Sequence, residues 1–233
     1  MERPVNILCT RPIDQSLINS VRSKGNFIDV LSFIETTPLK TITLQQEIED
    51  ALGSAATVVF TSMNAVEAVA AYLNGHEPQW KIYSIGTTTD QLINKYFGEG
   101  LVAGTAFNAA DLAALIVKDR LTEKLIFFCG NQRRDELPAM LRKNNIAVTE
   151  IEVYQTTAVP HKIDKVYDGI LFFSPSAAES FFLNNTVSPQ TILFAIGNTT
   201  ADAIKSFSDN KTIIADTASK ENLVKQMIAY FGE

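Results

Sequence analysis

The chain has 233 residues, 46% of them hydrophobic and 20% charged, with a formal net charge of −6. That length can bury one large core or two ordinary ones, the acidic balance argues against a nucleic-acid binder, and no apolar run approaches the length that spans a bilayer. The opening Met1-Glu2-Arg3-Pro4 lacks the basic and apolar regions of an export signal, so a cytoplasmic protein is expected.

Taken in order, Val5-Asn6-Ile7-Leu8-Cys9 reads as a buried strand, Leu17, Ile18 and Val21 recur at helical spacing before Gly25, and Phe27 to Phe33 reads as the next strand. Further strands are predicted at Thr57 to Thr61, Lys81 to Ile85, Gly100 to Ala103, Leu125 to Cys129, Ala147 to Val153, Gly169 to Phe173, Ile192 to Ile196 and Thr212 to Ala215. Each is followed by a helix or by an extended junction. Strict alternation of strand and helix implies parallel sheets with helices on both faces, because parallel neighbours need a crossover. The ten strands make roughly five per domain, the size of a flavodoxin-like sheet.

The second half of the chain repeats the first. Val58-Val59-Phe60-Thr61-Ser62-Met63-Asn64-Ala65-Val66-Glu67 returns as Ile170-Leu171-Phe172-Phe173-Ser174-Pro175-Ser176-Ala177-Ala178-Glu179, a shift of 170 − 58 = 112. Ile85 to Thr89 returns as Ile196 to Thr200, Ala103 to Ala106 as Ala215 to Ala218, and the junction Phe33-Ile34-Glu35-Thr36-Thr37 as Val153-Tyr154-Gln155-Thr156-Thr157. A repeat this long suits a whole domain, so two similar domains facing one another across a ligand site are expected. Periodicity leaves two partitions open. One splits the chain near residue 120. The other closes a domain over 40–150 and builds its twin from 1–33 and 160–233, with 34–39 and 151–159 as paired linkers.

Ligands of open parallel sheets bind beyond the carboxyl ends of the strands, where helix N-termini present unpaired N–H groups and a partial positive charge. The chain concentrates small polar residues there: Ser62 and Asn64, Gly86 with Thr88 and Thr89, Ser174 and Ser176, and Gly197 with Thr199 and Thr200. Such turns could hold carboxylates even in an acidic protein, although Ser and Thr also simply cap helices. Arg11, and Arg133 with Arg134, follow the Cys9 and Cys129 strands in matching places and could clamp carboxylates, although Arg134 could equally pair with nearby Asp135 or Glu136. Cys9 and Cys129 occupy equivalent packing positions in separate repeats, which argues against a disulfide. His76 and His161 are isolated, so neither a metal site nor a nucleophile triad is expected, and no dinucleotide or P-loop glycine motif occurs. Tyr154 stands at a junction where its repeat counterpart is Ile34. An aromatic in a strand usually packs, but a phenol at a hinge could also donate a proton.

Cys9-Thr10-Arg11-Pro12, Phe60 to Val66, Ile85 to Thr89, Cys129-Gly130-Asn131-Gln132-Arg133-Arg134, Val153-Tyr154-Gln155-Thr156, Phe172 to Ser176 and Ala195 to Ala201 together resemble the uroporphyrinogen-III synthase family, in its order and over nearly the full length. The resemblance implies two flavodoxin-like α/β domains with parallel sheets, joined by a two-stranded linker ladder, with the second domain inserted into the first. It implies a linear tetrapyrrole substrate, hydroxymethylbilane, whose terminal hydroxyl is removed and whose last pyrrole ring is inverted through a spiro intermediate before the macrocycle closes. It also implies no cofactor and no metal, and a monomer is expected. Tyr154 falls on the family tyrosine that assists departure of hydroxide, and Thr89, Thr199 and Thr200 fall on cleft threonines. Two positions depart from the pattern: Asp90, where the second repeat has Ala201, and Cys129, where many bacterial relatives carry arginine. The rival reading is a non-catalytic two-domain binding protein for a small anion.

Overall fold

The computed structural model describes residues 3–119 and 124–232. By internal contacts the chain divides into two compact units, Met1–Glu35 with Thr157–Glu233, and Thr36–Thr156.

The first unit holds β1 (Asn6–Cys9), β2 (Phe27–Val30), β9 (Gly169–Phe172), β10 (Ile192–Ala195) and β11 (Thr212–Ile214) in the sheet order β11-β10-β9-β1-β2. All of its ladders are parallel. Helices α7 (Pro175–Phe182) and α8 (Asn198–Lys205) cover one face through Ala178, Phe181 and Ile204, which meet Leu8, Ile170 and Phe172. Helices α1 (Gln15–Arg22) and α9 (Lys220–Phe231) cover the other through Val21, Leu223, Val224 and Met227, against Ile7, Cys9 and Leu171. Alternate residues of one strand therefore feed opposite cores, which is why these strands read as continuous apolar runs.

The second unit is built from β3 (Ile34–Pro38), β4 (Ala56–Phe60), β5 (Trp80–Ile85), β6 (Val102–Ala106), β7 (Leu125–Gly130) and β8 (Val148–Ala158), in the order β3-β8-β7-β4-β5-β6. The helices α2 (Ile42–Leu52), α3 (Met63–Ala70) and α4 (Thr87–Phe97) pack on one face with Val58, Phe60, Ile126 and Phe128. The opposite face carries α5 (Ala109–Lys118) and α6 (Glu136–Lys143), packed on Val59, Leu125, Phe127 and Cys129.

Three features of this arrangement have physical causes, and the second departs from the strand bounds expected from sequence. The junction is itself a strand. Leu39 donates to Val153 and Val159 to Phe33, while the Thr36 and Thr156 hydroxyls meet at 3.3 Å, a pairing in which one number rises as the other falls, so β3 and β8 run antiparallel and the second sheet has six strands. The strand expected at Gly100 to Ala103 runs instead from Val102 to Ala106, because Gly98 (φ 98°) and Gly100 (φ 94°) occupy the left-handed region and keep the chain in a turn until Leu101. Finally, the linear repeat is not a compact unit. Leaving aside the junction strand β3, each copy gives two strands to one unit and three to the other. Matching β2, β1, β9, β10 and β11 to β8, β7, β4, β5 and β6 superposes the two sheet orders, which makes the second unit a circular permutation of the first.

Candidate functional site

In each unit the parallel strands place the following helix N-termini along one edge of the sheet. Side chains cap most of these helices. Ser62 accepts from the Asn64 N–H at 3.2 Å, Asn108 from Asp111 at 2.9 Å, Ser174 from Ala177 at 3.1 Å and Ser219 from Asn222 at 3.1 Å. Pro175 at the start of α7 removes an N–H that would have no helical partner. The starts of α1, at Asp14, and α6, at Asp135, have no side-chain cap either, and two further starts lack a capping side chain altogether because the residue is glycine. Gly86 precedes α4 and Gly197 precedes α8, and neither helix has a side-chain cap. The first-turn amides of Thr87 and Thr88, and of Asn198 and Thr199, are therefore free of any capping oxygen, beside side chains that are all exposed or half-buried. The two glycines meet this demand differently: Gly86 sits at φ 85°, which favours glycine, whereas Gly197 is extended at φ −174° and a Cβ there would meet nothing within 4 Å.

Thr89 and Thr200, expected at the site from sequence, are 5% and 1% exposed, so what they can offer a ligand is main chain. Thr88 and Thr199 are exposed, as is Asn64; Ser62, Ser174 and Ser176 are half-buried, with the last two hydroxyls 3.2 Å apart. Arg11 is half-buried with its guanidinium 5.9 Å from the Phe173 ring centroid, and Arg134 is exposed. Arg133 is committed elsewhere, to Glu150 and, at 3.5 Å, to Asp135, and Arg142 joins the same acidic pair. Asp90 accepts hydrogen bonds from the Ser84 and Thr105 hydroxyls, one on each carboxylate oxygen, so its charge is engaged by the ends of β5 and β6.

Cys9 and Cys129 are both buried, and burial pushes their thiols up to about 11 and about 12. They remain protonated and serve as packing residues, as their matched sequence positions imply. His161 bonds the Ser32 carbonyl at 3.1 Å and lies edge-on to Phe33 with centroids 5.4 Å apart. Among the described residues, no group of three or more His, Cys, Asp or Glu is arranged to hold a metal.

Tyr154 reaches its position through a register slip. From Leu125↔Val148 to Cys129↔Glu152 the β7 and β8 strands pair in step, and then Gly130 pairs with Tyr154, so Val153 is an extra residue on β8. Ile151, Val153 and Tyr154 consequently all pack on the core beneath α2, α3 and α4, although strict alternation would send Tyr154 to the opposite face. The phenol meets the Ser62 side chain at the start of α3. Burial raises its pKa above the usual phenol value, an effect that the Ser62 hydrogen bond partly offsets, so the group is fully protonated at neutral pH. The sequence signals this slip only as adjacent large residues, Val153 and Tyr154, in an otherwise alternating strand. The Asp90 network carries no sequence signal, because its partners come from two different strand ends.

The family model described as uroporphyrinogen-III synthase HemD matches residues 15–225. A porphyrin biosynthesis protein HemD of Ruminiclostridium josui is 24% identical over 100% of this chain and 50% of its own length, so the chain spans half of that relative. The fold resembles the crystal structure of uroporphyrinogen-III synthetase from Helicobacter pylori, with TM-score 0.69 and 15% identity over 97% of this chain and 99% of that one. It also resembles a mutant uroporphyrinogen III synthase from the extremely thermophilic bacterium Thermus thermophilus, with TM-score 0.67 and 12% identity over 97% of each chain.

Proposed function

The chain belongs to the uroporphyrinogen-III synthase family, and on that premise we propose that it converts hydroxymethylbilane to uroporphyrinogen III with loss of water. The observation that carries this reading is a protonated phenol, Tyr154, set beside the N-terminus of α3 on the edge where α4 presents uncapped amides. The substrate loses its terminal hydroxyl readily and can close unaided to the uninverted isomer, so the protein's main task is to impose a conformation. Amides at the starts of α4 and α8, with the Ser62 and Ser174 turns, are suited to hold acetate and propionate arms, one set on each unit. Arg11 and Arg134 add positive charge for the same arms. Tyr154 gives its proton to the departing hydroxyl oxygen as the carbon–oxygen bond breaks, so water rather than hydroxide leaves. Terminal-ring inversion and closure then proceed in the bound geometry.

The same reading makes the β3 and β8 segments, 34–39 and 151–159, paired linkers between domains 1–33 plus 160–233 and 40–150. It also makes the protein a cytoplasmic monomer that needs no cofactor. Among the described residues, no helix is long and apolar enough to cross a membrane. The test is to incubate the purified protein with freshly generated hydroxymethylbilane and separate the product isomers. Predominant type III product is expected; type I alone, at the uncatalysed rate, would refute an enzymatic role and leave only binding.

A further inference from the structure

We propose that Gly130, with the Asn131 side chain, is the positioning device for the Tyr154 phenol, a role that rests on the assignment of Tyr154 as the proton donor. The side chain of Tyr154 lies over the α-carbon of Gly130. A Cβ built on Gly130 falls inside the van der Waals envelope of the ring and 2.8 Å from the phenol oxygen, closer than real Cβ contacts come. Gly130 ends β7, where alternation after Phe128 directs any side chain into the same core that receives the Tyr154 ring. The missing side chain is the space the ring occupies.

Asn131 holds the bulged strand at the tyrosine's own carbonyl and two residues beyond it. Its own N–H donates to the Tyr154 carbonyl at 3.3 Å, its side-chain oxygen accepts from the Thr156 N–H at 2.8 Å, and its side-chain amide donates to the Thr156 carbonyl at 3.2 Å. Gln132 adds a second donor to that carbonyl at 3.3 Å. Asn131 therefore acts as one more rung of ladder just where the regular pairing slips, and the slip is what turns Tyr154 onto the Ser62 side. The equivalent point in the first unit lacks the glycine, the asparagine and the tyrosine, although its pairing also moves on by one residue there. Thr10 stands in place of Gly130, fully buried, its hydroxyl donating to the Leu171 carbonyl at 2.7 Å, and the counterpart of Tyr154 is Ile34.

The test combines turnover with the titration of Tyr154 itself, followed by ring-labelled tyrosine NMR and assigned through Tyr154→Phe. Gly130→Ala is expected to lower kcat by about ten- to a hundredfold, because small displacements of a reacting group are that costly, with KM changed little. Its Tyr154 signal should titrate closer to the ordinary phenol value. In the Tyr154→Phe background the same substitution should cost no further kcat, since no phenol remains to be misplaced. Asn131→Ala, which adds no bulk, should move both readouts in the same direction by less, and it decides the matter if Gly130→Ala does not fold. Unchanged kcat and unchanged Tyr154 titration in either folded variant would overturn the proposal. Full turnover by Tyr154→Phe would instead remove the proton-donor assignment, whatever Gly130→Ala does.

Discussion

The two units are permuted versions of one fold, yet they end their central strands differently. In the first, β1 runs into Thr10, whose buried hydroxyl ties it to the neighbouring strand, and the pairing moves on by one residue as Leu31 donates to Cys9 and Phe33 to Thr10. In the second, β7 runs into Gly130, the pairing slips by one residue, and an aromatic ring fills the space. Both units keep a glycine-started, uncapped helix, at Gly197 and Gly86, but only the second has a tyrosine at the matched junction position, Tyr154 against Ile34. On the proposed reading, the anion-holding turns come in two copies and the proton donor in one, which suits a long polyacid with a single leaving group.

The sharpest way to break this comparison is Tyr154→Phe. Turnover should drop by about a hundredfold or more, the usual contribution of a positioned acid, with KM nearly constant. The counterpart substitution Ile34→Val should leave turnover unaltered in the same isomer assay.

Alkaline pH probes what the units share. Unfolded Cys9 and Cys129 lose their protons near the ordinary value of 9.0, whereas the folded thiols hold them to about 11 and about 12. The folded state binds these protons more tightly, so the associated stability is complete below pH 9 and is lost as pH climbs from 9 toward 12. Denaturant midpoints should hold through neutral pH and decline only above the ordinary thiol value, and neither thiol should react with a small alkylating reagent at neutral pH before unfolding.

The paired glycines separate fold from ligand. Gly86→Ala should destabilise by about 1–2 kcal/mol, the cost of forcing a Cβ into the left-handed region, measurable by chemical denaturation. Gly197→Ala should fold normally, because its backbone is extended and its surroundings are open, and yet raise KM if a carboxylate approaches that main chain. A smaller effect is expected at Ser180, whose buried hydroxyl has no hydrogen-bond partner and whose repeat counterpart is Ala68. Ser180→Ala should leave thermal stability unchanged or raise it by up to about 1 kcal/mol.

Much of this was legible in the residues. Runs such as Leu125 to Cys129 are apolar at every position because each strand feeds a core on both faces, and Pro175 after Ser174 marks the start of α7. The repeat announced matched polar turns. It could not announce how the copies exchange strands, since the pairing of β1 with β9 joins Ile7 to Gly169 across most of the chain and leaves no local pattern. Asp90 stood out in sequence only as a departure from the family pattern; that the Ser84 and Thr105 hydroxyls meet around its carboxylate could not be read there. Tyr154 was conspicuous, but its direction depended on a one-residue slip that the sequence marks only by the adjacent Val153 and Tyr154.

The central claim is that main-chain amides at the open helix starts grip the acidic arms of the ligand. It is tested most directly by recording backbone amide shifts of the isotopically labelled protein while uroporphyrinogen III is added under reducing conditions. The account requires Thr87, Thr88, Asn198 and Thr199 to move together and saturate at one ligand concentration, along with the turns at Ser62 and Ser174. Saturable shifts that leave all four of those amides unmoved would contradict it.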